Sequence, residues 1–125
     1  MSNTVYMTRE EFDNSIIAYI GDDEPYENSG YIAFTKDNVY YLTGFSHCSC
    51  YGTFTAICGG GYSHNDNINY INYFWKGSLI ELINLAKNNI DPYLPTRTIE
   101  SQDFDYQQLI ELYRQIIGKY SKSND

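Results

Sequence analysis

The densest cluster of reactive side chains in this 125-residue chain is the run His-Cys-Ser-Cys at positions 47–50, followed by Cys58 and His64. Three thiolates and one imidazole could complete a tetrahedral zinc site. Structural zinc sites typically have two residues between paired cysteines, because that spacing lets both sulfurs face one ion, whereas Cys48 and Cys50 are separated by one. The spacing therefore favours structural thiols. The alternative is a zinc-stabilised module on Cys48, Cys50, Cys58 and His64.

The same residues could form a nucleophilic pair, in which His47 or His64 activates Cys50 or Cys58. No third residue is placed to orient the imidazole, so a cysteine-dependent enzyme is a second alternative. The Gly triplet at 59–61 is followed by Tyr-Ser-His-Asn, in place of the Lys and Ser/Thr that a phosphate-binding loop needs. We therefore expect no catalytic residue and no cofactor.

Carboxylates and tyrosines are the remaining candidates for function. Sixteen Asp and Glu against eight Lys and Arg give a net charge of −8, and residues 1–27 alone hold seven acids against one base. This charge argues against general binding to a nucleic-acid backbone and favours a basic partner. Acids at positions 22–24 lack the alternation and central Gly of a calcium-binding EF-hand loop. Solubility alone is the competing explanation for a charge of this size.

Fourteen tyrosines exceed what a core of this size can hold, because each buried phenol needs a hydrogen-bond partner. Some of them are therefore expected on the surface, where tyrosine is enriched at protein interfaces. The competing explanation is the codon bias of an AT-rich genome, which the twelve Asn also fit.

The length fits one domain, residues 1–125. No signal peptide is visible, and the longest strongly apolar run, residues 16–20, is far below the roughly 20 residues that cross a bilayer. Three cysteines cannot all pair within one chain, so we expect reduced thiols and a cytoplasmic protein.

Two capping boxes and two apolar stripes predict three helices. Thr8 to Glu11 should open a helix that continues through Ile20 and stops at Gly21, and Ser78 to Glu81 should open a second that frays at residues 88–89. Prolines at 92 and 95 exclude helix between residues 91 and 99. Apolar residues from Tyr106 to Tyr120 step by three and four and predict the last helix.

Four runs read as strands. Residues 31–35 and 39–43 should form a hairpin around Lys36-Asp37-Asn38, with Ile32 and Phe34 on one face. Residues 53–58 and 68–75 should add two more strands. The prediction is an α+β fold, in which a small antiparallel sheet of three to five strands is packed by two or three helices.

Two motifs carry a resemblance, FSHCSCYGTF at 45–54 and FWKGSLIELINLAKN at 74–88. They resemble small uncharacterised proteins encoded in bacteriophages and prophages, which carry a Cys-Ser-Cys-Tyr-Gly turn before a Lys-Gly-Thr/Ser-Leu helix start. The matching residues are Cys48, Ser49, Cys50, Tyr51, Gly52, Lys76, Gly77, Ser78, Leu79, Glu81 and Leu82. The resemblance assigns no chemical step to any of them. It implies a stoichiometric binding protein, such as an inhibitor of host defence of the anti-CRISPR kind.

The combined expectation is a non-enzymatic inhibitor whose acidic surface imitates nucleic acid and blocks a basic groove of a host protein, without binding nucleic acid or membrane itself. The expected partner-binding residues are Asp22, Asp23, Glu24, Tyr26, Glu27 and Tyr31. A homodimer through Tyr70, Tyr73 and Trp75 of the fourth strand is a further expectation.

Overall fold

The computed structural model describes residues 4–21, 27–48, 69–94, 96–100 and 106–121. The elements in chain order are β1 (Thr4–Met7), α1 (Arg9–Ser15), β2 (Ile16–Gly21), β3 (Glu27–Lys36), β4 (Val39–Cys48), β5 (Asn69–Asn72), β6 (Trp75–Gly77), α2 (Leu79–Lys87) and α3 (Gln107–Ser121). All strand pairs are antiparallel, in a four-stranded sheet of order β2-β3-β4-β6 and a two-stranded sheet β1-β5. The predicted α+β class is confirmed, and the second sheet is an addition to it.

The four-stranded sheet is the middle of three layers. Successive side chains of a strand point to opposite faces, so β3 sends Ala33 to one face and Ile32 and Phe34 to the other. The first face packs against helices α2 and α3, mainly through Leu82, Leu85, Leu109, Leu112, Tyr113 and Ile116. The second face packs against Met7 of β1, Phe12 of α1 and Ile71 of β5. The sheet is thus buried on both sides, with one core on each.

The first helix is shorter than the sequence predicted. Its capping box is confirmed, because the Glu11 N–H donates to Thr8 Oγ1 at 3.0 Å and the Thr8 N–H donates to Glu11 Oε1 at 2.9 Å. The expected continuation to Ile20 is wrong, since residues 16–21 form β2 and pair with β3. β-branched residues at 16 and 17 favour the extended backbone. Phe12 and Ile16 are four residues apart and pack in the same core, so this pair has the spacing of a helix face. Ile20, the next residue at that spacing, packs in the opposite core.

The predicted hairpin is confirmed, with longer strands and a tighter turn. Asp37 and Asn38 alone connect β3 to β4, and both have positive φ, 54° and 67°. A two-residue type I′ turn requires positive φ at both positions, and Asp and Asn are among the residues that tolerate it. The predicted strand at 53–58 and the Gly triplet at 59–61 lie outside the described residues.

The predicted fourth strand is two short strands in different sheets. Ile71 of β5 pairs with Val5 of β1, whereas Trp75 of β6 pairs with Leu42 of β4. In one continuous strand residues 71 and 75 would point to the same face. They belong to opposite cores instead, and the chain changes sheets between them, where the Phe74 N–H donates to the Leu42 carbonyl at 3.0 Å.

The second and third helices are confirmed. Ser78 and Glu81 form a reciprocal capping box, with hydrogen bonds of 3.1 and 2.8 Å. Helix α2 ends at Lys87, and its C-cap Asn88 is followed by Asn89 with φ 50°. Helix α3 buries its predicted apolar stripe against the sheet and α2.

Candidate binding groove

A groove of about 440 Å³ lies where the start of β3, the end of β4 and the start of α3 meet. We call it the aromatic groove. It is lined by Ser29, Gly30, Tyr31, Gly44, Phe45, Phe74, Tyr93 and Gln108. A hydrogen bond of 3.2 Å from Gln108 Nε2 to the Ser29 carbonyl joins helix α3 to β3 at its edge.

Three rings form a continuous wall of the groove. Tyr31 and Phe74 meet edge to face, with centroids 5.9 Å apart, and Phe74 stacks on Tyr93 at 4.5 Å. Gly44 pairs with Tyr31 across the hairpin, and a Cβ built on it would be 3.5 Å from the Tyr31 ring, so this ring lies directly over the glycine. Such rings offer apolar faces and polar tips, which suits a protein interface.

Tyr93 is held by a loop organised around the buried Asp91. Only 2% of Asp91 is exposed, and its Oδ1 accepts from the Tyr93 N–H at 2.9 Å. Arg97 lies 3.8 Å from the other carboxylate oxygen, and its carbonyl accepts from the Asp91 N–H at 2.8 Å. This loop fixes the backbone of Tyr93 while 55% of the residue stays exposed.

The phenol of Tyr93 stays protonated at neutral pH. Partial burial, followed by the neighbouring Tyr31, Tyr106 and Asp91 and a hydrogen bond with the Tyr31 side chain, together raise the pKa of Tyr93 to about 12. A protonated phenol keeps an O–H that can donate to a partner. Tyr93 therefore offers the groove a hydroxyl group rather than phenolate charge.

Of the predicted partner-binding residues, Tyr31 lies in this groove. Glu27 begins β3 and pairs with Cys48 across the hairpin, while Asp22, Asp23, Glu24 and Tyr26 lie outside the described residues. Sequence reasoning missed Phe74, Tyr93 and Gln108. They are far apart in the chain, and no local pattern marks them as neighbours of Tyr31.

Two acidic segments, residues 22–27 and 101–105, join the described chain at the same end of the sheet. Gly21 pairs with Gly30 of the groove, and it lines a 270 Å³ pocket together with Gln107 and Gln108 at the start of α3. Gln108 lines both that pocket and the aromatic groove. Gly21 and the start of α3, which flank these segments in the chain, therefore lie beside the groove.

The charge of the chain is concentrated in the same segments. Side chains with described positions include eight carboxylates and seven basic groups, so they are almost neutral. Six of the other eight acids belong to the two acidic segments. Most of the excess negative charge therefore belongs to the two acidic segments.

Exposed tyrosines occur, as the composition predicted, but they do not form one patch. Tyr19 stacks on Phe45 of the groove at 5.6 Å. Tyr6 is 59% exposed and lies near the far end of the hairpin, because its carbonyl accepts from Lys36 Nζ. Lys36 lies six residues beyond Gly30 in β3, a distance of roughly 20 Å along the strand. Of the exposed tyrosines with described side chains, Tyr19 and Tyr93 therefore lie at the groove end and Tyr6 does not.

The residues proposed for zinc or for a cysteine nucleophile are not brought together within the described part of the chain. Cys48 ends β4, and Cys50, Cys58 and His64 lie outside that part. Among residues 4–21, 27–48, 69–94, 96–100 and 106–121, no group of three His, Cys, Asp or Glu could hold a metal. The zinc alternative stays a prediction, which a zinc-to-protein ratio measured by elemental analysis would test.

Comparisons with protein-family models, with curated proteins and with solved structures find no match for this chain. Among the described helices, none is long and apolar enough to span a membrane.

Proposed function

We propose that this protein is a non-enzymatic inhibitor that binds a basic, nucleic-acid-binding surface of a host protein. The contact would be made by the acidic segment 22–27, through Asp22, Asp23, Glu24 and Glu27, and by the adjoining aromatic residues Tyr26 and Tyr31. Tyr93 extends the predicted set, because it shares the aromatic groove with Tyr31.

What supports the proposal is that the acidic segment 22–27 leads directly into β3, whose Tyr31 lines the aromatic groove. Carboxylates attract and orient a basic partner over a distance of about a Debye length, roughly 8 Å at physiological salt. Rigid aromatic side chains then provide the short-range contact area that makes a complex last. Each element alone is common on protein surfaces, but together they are suited to a positively charged docking site.

The two motifs suggest a phage origin, and a phage protein with this surface would have a host protein as its target. A host protein that handles nucleic acid has a basic channel, and an acidic protein can occupy that channel without catalysis.

The proposal is tested by affinity capture from a lysate of the host, at low and high salt, with the wild type and two charge variants. The first variant reverses Asp22, Asp23, Glu24 and Glu27 to Lys. The matched control reverses four acids elsewhere in the chain: Glu10, Asp13, Asp66 and Asp125. It spares Glu11 and Glu81, which cap helices.

We expect the wild type and the control to retain a nucleic-acid-binding protein that high salt releases, and the first variant to lose it. Equal retention by the two variants would show that the segment 22–27 does not carry the contact. Equal loss would show that net charge alone is responsible.

A further inference from the structure

A second groove, of about 430 Å³, lies between helices α2 and α3, and it shares no residue with the aromatic groove. We call it the interhelical groove. It is lined by Ala86, Lys87, Asn89, Ile110, Tyr113, Arg114, Ile117 and Gly118. Ala86, Ile110 and Tyr113 are buried core residues, so the inner wall is apolar.

Gly118 keeps this groove open. It lies inside α3, where glycine is the poorest helix former after proline. A Cβ built on it meets no atom within 4 Å, so no close packing requires glycine at this position. The absence of a side chain leaves space on the groove side of the helix that any larger residue would occupy.

The rim of the groove is positively charged. Lys87 is exposed, at the end of α2, and forms no ion pair with a described residue. Arg114 uses one guanidinium nitrogen to bind Glu111 at 2.8 Å, which leaves N–H groups for another acceptor. The Tyr113 hydroxyl donates to the Ile90 carbonyl at 2.6 Å, so this residue can contribute its ring to the wall but not a free hydroxyl.

We propose that the interhelical groove binds a small amphiphile, namely a medium-chain fatty acid, with its alkyl chain along Ile110 and Ile117 and its carboxylate between Lys87 and Arg114. A volume of about 430 Å³ corresponds to roughly a dozen non-hydrogen atoms, at about 30 Å³ for each liquid-water-sized group. Decanoate has this size. This site is separate from the proposed partner contact, and it would bind an anion, whereas the proposed partner is basic.

The first test is a calorimetric titration of the full-length protein with decanoate, decanol and decylammonium at equal concentrations below micelle formation. We expect decanoate to bind and the other two to bind at least threefold more weakly. Equal or tighter binding of decanol or decylammonium would overturn the assignment of an anionic ligand, and no binding of decanoate would overturn the site.

The second test places the ligand by mutation. Gly118→Leu fills the groove and should weaken decanoate binding at least tenfold, while Lys119→Leu adds the same side chain next to it, outside the lining residues, and should leave the affinity within twofold. Lys87→Gln and Arg114→Gln should each weaken decanoate about threefold, as expected for an exposed ion pair, and leave any decanol binding unchanged.

Amide chemical shifts measured by NMR keep the proposal falsifiable if Gly118→Leu does not fold. With the wild type, decanoate should shift the amides of Gly118, Ile110 and Asn89 and leave Ser29 to Tyr31 unaffected. Shifts confined to other parts of the chain would contradict the site, and unchanged affinity in a folded Gly118→Leu would do the same.

Discussion

Gly30 of β3 lies against the backbone of strand β2, with no space for a side chain. A Cβ on Gly30 would overlap the Ile20 carbonyl oxygen and would lie 2.7 Å from the Gly21 Cα, and both contacts are with backbone that a rotamer change cannot move. We predict that Gly30→Ala destabilises the fold by about 2–3 kcal/mol, because β2 must shift on its partner strand. Urea denaturation measures this change.

Gly44→Ala is the matched control for Gly30→Ala. It lies in the same hairpin, and its added Cβ would be 3.5 Å from the Tyr31 ring, an ordinary contact. Its free energy of unfolding should stay within about 1 kcal/mol of the wild type. A similar loss in both variants would mean that glycine is required for backbone freedom in the hairpin rather than for space beside β2.

Tyr113 joins the helix layer to the loop that follows α2. Its hydroxyl donates to the Ile90 carbonyl inside the core, where only 1% of the residue is exposed. Tyr113→Phe leaves this carbonyl without its partner and should cost about 1–2 kcal/mol at pH 7. Tyr19→Phe, which keeps a ring stacked on Phe45 at an exposed position, should change stability by less than about 0.5 kcal/mol.

Tyr113 also makes the free energy of unfolding depend on pH in the alkaline range. Burial, and then the charge of Asp91, raise the pKa of Tyr113 above its ordinary value near 10. A group whose folded pKa is raised contributes stability that is present below the unfolded pKa and is lost as the pH rises above it. The free energy of unfolding should therefore fall above pH 10, by up to about 1.4 kcal/mol per pH unit for this phenol. Tyr113→Phe should show a shallower fall in urea denaturation between pH 9 and 11.5, and an identical slope would contradict the assignment.

At the scale of elements, helix α3 protects the open edge of the four-stranded sheet. Tyr19 lies in the edge strand β2, and its carbonyl accepts from Gln115 Nε2 at 2.8 Å while its N–H donates to Gln115 Oε1 at 3.1 Å. One side-chain amide thus replaces the contacts of a neighbouring strand. Edge strands without such cover are sites of association between copies.

We predict that Gln115→Ala exposes this edge. The amide of Tyr19 should exchange at least fivefold faster in hydrogen exchange measured by NMR, since one hydrogen bond contributes about 1 kcal/mol. Amides of β3, which is paired on both sides, should stay protected. Unchanged exchange at Tyr19 would show that packing of α3 alone covers the edge.

Local signals in the sequence predicted elements well where one residue pair determines the geometry. Both capping boxes formed, since each needs only a hydroxyl and a carboxylate three residues apart. The helix predicted through Ile20 and the continuity of the predicted fourth strand are wrong, because the structure of both runs depends on distant partners. The first run becomes a strand because β3 lies beside it, and the second divides because Ile71 and Trp75 pack in different cores.

At the scale of the whole molecule, the candidate site was predictable only in part. Tyr31 could be predicted because it follows the acidic segment 22–27, which is recognisable from the sequence alone. Phe74, Tyr93 and Gln108 join it through tertiary packing over as many as 77 residues of chain, for which no periodicity exists.

The central claim is that the partner docks at the groove end, and hydrogen–deuterium exchange of the complex tests it most directly. With the captured partner bound, we expect the backbone amides of residues 29–31, 44–45, 74 and 93 to exchange more slowly. Residues 9–14 of α1 and the turn at 37–38 should be unchanged. Protection confined to α1 and that turn, with the groove unaffected, would contradict the account.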